Sequence, residues 1–128
     1  EYGLKLTNRA GLVQIGDQPD LDLTRPCFYT HYSMTIEWNG DTFLCPQDWH
    51  RRVKPGNVMA QSLLEVWRSK GLQKFRSMLG AGRRNASPCN NCNADGMIHG
   101  ENHFKAFENY KKQKKDQRPE QPGQVVAS

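Results

Sequence analysis

"SMTIEWNGDTFLC", residues 33–45, alternates apolar Met34, Ile36 and Trp38 with polar Ser33, Thr35 and Glu37. Period-two alternation is the mark of a half-buried strand. Asn39-Gly40 supplies the positive backbone torsions of a tight type I′ turn, and "DTFLC" runs back. The stretch therefore predicts a β-hairpin. With a two-residue turn, Trp38 faces Asp41 and Met34 faces Cys45, which leaves Cys45 at the end of the return strand.

Downstream, "CPQDWHRRVKPGNV" reads as a loop punctuated by Pro46, Pro55 and Gly56. "SLLEVWRSKGLQKFRSMLGAG" is helical in pattern. Ser62 and Glu65 form a capping box, and Leu63, Leu64 and Trp67 make one apolar stripe. Gly71 is expected to break the helix. Leu72, Phe75, Met78 and Leu79 make a second stripe, and Gly80 and Gly82 end it. "ASPCNNCNADG", residues 86–96, places two cysteines in a run of turn-forming residues. In "NHFKAFENYKK", Phe104, Phe107 and Tyr110 stand three apart, which predicts a last amphipathic helix with a docked apolar face. Upstream, residues 1–26 read as a lead-in with a short strand around Leu12–Ile15. Three regions result: a linker over 1–26, a folded domain over 27–116 and a disordered tail over 117–128.

The chain has 128 residues, 36% of them hydrophobic. That allows one domain with a thin core, the kind that leans on a metal or disulfide staple. No run approaches the ~20 apolar residues of a membrane helix, and the stretch "EYGLKLTNRAG" has no apolar h-region of a signal peptide. A cytoplasmic, reducing setting is expected, where four cysteines point to metal or redox chemistry before a disulfide framework. Much of the net charge of +5 sits in "KKQKKDQR", residues 111–118. Such a run is ordinarily a solvated helix end, although a basic tail can also contact nucleic acid.

Cys27, Cys45, Cys89 and Cys92 are all the cysteines there are. A CxxC knuckle fits two thiolates onto one centre, with backbone N–H groups directed at the sulfurs. Cys45 at the hairpin end and Cys27 before the outgoing strand complete a set of four, which suits tetrahedral zinc or an iron–sulfur cube. Spacing does not separate the two. His31, His50, His99 and His103 flank the cysteines, but four thiols complete a shell without them. Asp41, Asp48 and Asp95 are turn-type acceptors; Asp48, in the loop just after Cys45, is also a candidate to face a substrate. No phosphate loop or Ser–His frame is present.

In order, the features are Cys27, twelve residues, Gly40, four residues, Cys45, "PGNV", "SLLEVWRS" and the CxxC pair. This order resembles the C-terminal SPASM/twitch region of radical S-adenosylmethionine enzymes. "NRAG" at residues 8–11 resembles the linker that precedes that region. The resemblance implies an α+β fold, a small metal-stapled domain in which a β-hairpin is followed by helices. It implies an auxiliary [4Fe–4S] cluster on Cys27, Cys45, Cys89 and Cys92. Trp38, Phe43 and Trp49 are expected to shield that cluster from water. Fuller members carry further cysteines and a second cluster, whereas this chain has "NADGMIHGENHF" there, so the one-cluster, twitch-like form is expected. No CxxxCxxC loop is present, so S-adenosylmethionine and radical generation belong to a partner catalytic barrel, in the same parent chain or another protein. The implied function is electron transfer and substrate positioning for an oxidoreductase or a peptide- or sugar-modifying enzyme, with an external electron donor. The alternative is a zinc-stapled binding module whose basic tail contacts nucleic acid. Zinc can also fill the site of an aerobically prepared fragment.

Overall fold

The structure, a computed structural model, describes residues 5–97 and 100–117, and their side chains except at 100–104 and 107. Two compact units divide at Ile98, and each stands by itself. In the first unit the order is α1 (Tyr29–Tyr32), β1 (Thr35–Ile36), β2 (Thr42–Phe43), α2 (Leu63–Trp67), α3 (Lys70–Gly80) and a 3-10 turn at Cys89–Asn91. The second unit carries α4 (Gly100–Asp116). The architecture is the expected α+β: one hairpin followed by helices.

The hairpin is present with a shifted register. Thr35 pairs with Phe43 and Ile36 with Thr42, so the loop holds three residues, Trp38 to Gly40. Asn39 causes the shift: its side-chain carbonyl accepts the Asp41 N–H at 3.0 Å, a local bond that outcompetes the tighter turn. Gly40 then takes φ +86°, and its N–H donates to the Glu37 carbonyl. This is the geometry of a three-residue hairpin loop closing on a left-handed glycine. Trp38 ends at the apex, 95% exposed. The far edge of β2 is covered by the "PGNV" turn. Thr42 N–H donates to Gly56 O, Val58 N–H donates to Gly40 O, and Thr42 Oγ1 accepts the Gly56 N–H.

The helical segment breaks at Arg68–Ser69, two residues before Gly71. Ser69 caps α3 by accepting the Leu72 N–H, so a polar cap, not the glycine, sets the break. Gly71 sits exposed inside α3. The capping box of α2 is as read from sequence: Glu65 N–H donates to Ser62 Oγ, and Ser62 N–H to the Glu65 carboxylate. The buried residue of α2 is Val66, while Leu63 and Leu64 are 58% and 53% exposed. Arg76 staples α3 to its surroundings, donating to the Thr30 and Trp67 carbonyls and stacking 4.1 Å over the Trp67 ring.

Leu44, Leu72, Leu79 and Cys89 form the buried cluster, with Cys27, Val53, Phe75 and Met78 packed against it. The core thus lies between the return strand, one face of α3 and the cysteine turn. No strand forms over Leu12–Ile15; the segment turns at Arg9–Leu12 instead, where Val13 N–H donates to Asn8 O at 2.9 Å. In the second unit Tyr110 is 53% exposed. The side chains of Phe104 and Phe107, and the tail beyond Gln117, lie outside the described residues.

Candidate metal centre

One cavity is lined by Cys27, Cys45, Cys89 and Cys92 together, with Ala10, Tyr29, Thr30, Gln47, Asp48, Leu79, Arg84, Pro88 and Ala94. The four thiols come from segments spread across 66 positions of chain, and separate local reasons bring each one in. Cys27 is pinned by its N–H donating to the Leu79 carbonyl at the end of α3. Gly96 permits this approach: a Cβ there would lie 2.6 Å from Cys27 Cα, and its φ is +79°. Cys45 follows β2, and the loop after it is closed by Asp48. This buried carboxylate accepts the Arg52 and Val53 N–H groups, both at 3.1 Å. Cys89 opens the 3-10 turn and Cys92 follows it, the turn being closed by Cys92 N–H donating to Cys89 O.

All four thiols are free of disulfides. Burial pushes the Cys27 thiol up, opposed by the Tyr29 amide and then by the Arg84 charge. Burial pushes Cys45 up to about 12, opposed by the amides of Gln47 and Asp48. Cys89 is raised too, chiefly by burial and then by the neighbouring Cys45 and Cys27. The hydrogen bonds to sulfur therefore come from the residues after Cys27 and Cys45. The expectation that the CxxC turn directs its own amides is not met at Cys92, whose N–H goes to a carbonyl. A site of this kind holds neutral thiols until a cationic centre displaces their protons.

The cavity wall differs from the expected one. Trp38, Phe43 and Trp49 do not line it. Phe43 is buried under the Arg51 guanidinium, and Trp49 lies beneath Arg9. Ala10, Leu79, Pro88 and Ala94 supply the apolar shield instead. Ala10 is brought there by the "NRAG" loop, where Arg9, Ala10 and Gly11 all have positive φ. A reciprocal clasp holds this loop to the cysteine turn. Asn8 N–H donates to Asn93 Oδ1 at 2.7 Å, Asn93 N–H donates to Asn8 Oδ1, and Asn8 Nδ2 donates to Asn91 O.

Two groups at the cavity were not read from sequence. Arg84, 2% exposed, donates to the Arg25 and Cys92 carbonyls, each at 2.9 Å. Gln47, 7% exposed, accepts from Thr7 Oγ1 at 2.8 Å. One arginine of the pair in "GRRN" carries no sequence signal of burial. Asn90, Asn91 and Asn93 carried a turn signal, but nothing in it pointed to Asn8, the long-range partner of Asn93. Among the histidines, His31 packs its ring on Phe28 and His50 is exposed; neither lines the cavity. His99 and the side chain of His103 lie outside the described residues. Asp41 accepts from Asn57, Lys54 and Asn39, and Asp95 accepts from Met97 N–H, as turn acceptors do.

The donor set fits a thiolate-ligated inorganic centre: four soft ligands, an apolar wall and one buried cation. Among the described residues, no group of three or more His, Cys, Asp or Glu side chains is placed to hold a single metal ion.

The SPASM iron–sulfur cluster-binding domain family matches residues 27–93, just over half of the chain, and the chain belongs to that family. It is an auxiliary-cluster domain of the radical S-adenosylmethionine enzyme type. Among curated proteins it is 28% identical over 91 residues to the S-adenosyl-L-methionine-dependent 2-deoxy-scyllo-inosamine dehydrogenase of Niallia circulans. The match covers 70% of this chain and 36% of that enzyme. Among solved structures it resembles BtrN in complex with AdoMet and 2-DOIA, at TM-score 0.61 and 26% identity, covering 71% of this chain and 35% of that one. An open conformation of BtrN shares the fold at TM-score 0.55 and 24% identity, covering 57% and 35%. The chain thus spans about a third of the length of these relatives.

Proposed function

We propose that Cys27, Cys45, Cys89 and Cys92 together hold one [4Fe–4S] cluster, and that the domain serves a radical S-adenosylmethionine barrel as an electron carrier and positioning element. The observation that carries this reading is the single cavity lined by all four thiols. When bound, the cluster supplies one-electron exchange. The protein's part is to hold four thiolates in an apolar wall, to aim the Tyr29, Gln47 and Asp48 amides at two of them, and to exclude water. All four ligand positions are filled by protein, so the centre passes electrons and does not bind substrate.

The partner is a catalytic barrel carrying the S-adenosylmethionine site, in the same parent chain or another protein. The Niallia circulans relative is named as a dehydrogenase, and an oxidoreductase acting on a polyhydroxylated ring is the parent activity this supports. An oxidation of that type releases an electron that an adjacent carrier must accept. The setting is a reducing, cytoplasmic one, where thiols stay available to iron. No helix among the described residues is long and apolar enough to cross a membrane.

Anaerobic reconstitution of the chain with iron and sulfide tests the assignment. The expected product has broad visible absorbance that bleaches on reduction, with a paramagnetic reduced state. Alanine at any one of the four cysteines is expected to remove most of that absorbance. A colourless protein that retains a single zinc ion after the same treatment would count against the cluster and favour a stapled binding module.

A further inference from the structure

The geometry points to Arg84 as the buried countercharge of the cluster, a positioning residue that raises its reduction potential. This rests on the cluster reading above. Arg84 is among the largest fully buried side chains of the molecule. Its Nε and Nη1 are used by two carbonyls, Arg25 and Cys92. Its Nη2 is buried with no hydrogen-bond partner among the described residues. No carboxylate forms an ion pair with it there: Asp22, the acid that feels its charge, turns its oxygens to Thr24 and Arg25 instead. A buried guanidinium without an anion is costly, and a native fold keeps one only where an anion compensates it.

The anion is supplied by the site itself. Arg84 lines the same cavity as the four thiols. Thiolate ligation makes an iron–sulfur centre anionic, and one added electron makes it more so. A fixed cation inside a low-dielectric wall stabilises the reduced state more than the oxidised one, because the charge it faces is larger. The two carbonyl hydrogen bonds hold the guanidinium in place, so it need not reorganise when the electron arrives.

The test compares the reconstituted chain with Arg84→Gln and Arg84→Lys. Iron content is counted, and the midpoint potential is read by spectroscopic titration with dithionite, which supplies the one electron per cluster. With Gln, iron content is retained and the potential falls. At the wild-type midpoint the reduced-to-oxidised ratio drops at least tenfold, about 59 mV for one electron. Lysine, which keeps the charge, stays close to wild type. Loss of the cluster in Gln but not in Lys also supports the countercharge role. Unchanged potentials in both variants overturn it. So does an equal shift or equal cluster loss in both, which would assign the effect to the carbonyl hydrogen bonds. In each of those cases the wild-type cluster, and with it the proposed function, still stands. A wild-type chain that forms no cluster removes both.

Discussion

Gly96 shows how one residue controls the centre. Its carbonyl accepts the Phe28 N–H at 2.8 Å, and its Cα passes so close to Cys27 that no side chain fits. Gly96→Ala combines a left-handed backbone with a 2.6 Å clash and should cost at least about 2 kcal/mol. It should also lower the iron retained after reconstitution, as read by metal analysis beside a thermal melt. Asn8 and Asn93 exchange two hydrogen bonds across 85 positions of chain. Alanine at either should lower stability by about 1 kcal/mol in a denaturant titration, because each side chain accepts the other's backbone N–H; no loss in either variant would mean that the "NRAG" loop is not held by this clasp. The cysteines themselves were legible, because soft ligands in a Gly-x4-Cys and CxxC frame have few other uses. Arg84 was not, since sequence records a charge but not its burial. Gly96 likewise read only as turn composition, because its close partner Cys27 lies far away along the chain.

At the scale of elements, the capping pattern was more informative than the glycines. Ser62 and Glu65 were legible as a box, and Ser62→Ala should lower stability by about 1 kcal/mol in a denaturant titration. Ser69, three residues before Leu72, carries the same kind of signal and sets the break that was assigned to Gly71. The apolar stripe of α2 was misread for a related reason. Leu63 and Leu64 fall on one helical face, but the short helix turns Val66 inward, and five residues give the pattern too few turns to decide. The hairpin register slipped by one because the Asn39 side chain takes a backbone donor that a two-residue turn would leave in the ladder. Asp41 ties this hairpin to the "PGNV" turn. The Asn57 and Lys54 hydrogen bonds hold its carboxyl below the ordinary value of 3.8, and hydrogen bonds to Thr24 and Ser62 do the same for Asp22 and Glu65. A lowered folded-state pKa stabilises the protein above the ordinary carboxylate value, and that contribution is lost as pH falls through the lowered one. The thermal midpoint should therefore decline on acidification through this range, and Asp41→Asn should flatten part of the decline.

For the molecule as a whole, the first unit is a thin core closed around a shared cavity. The regular structure of this unit is slight: strands of two residues and α-helices of four, five and eleven residues. Most of the loops converge on the four thiols, so ligation is expected to supply folding energy as well as redox chemistry. The α+β class could be read from the order of motifs, because each motif is local. The cavity wall could not, since Ala10 and Leu79 are ordinary residues whose position follows only from the closed fold. The most direct measurement is the iron and acid-labile sulfide content of the anaerobically reconstituted chain, with Cys45→Ala beside it. About four of each per wild-type chain, with loss in the variant, is the predicted result. One metal ion per chain without sulfide, or full iron content in Cys45→Ala, would contradict a four-cysteine cluster.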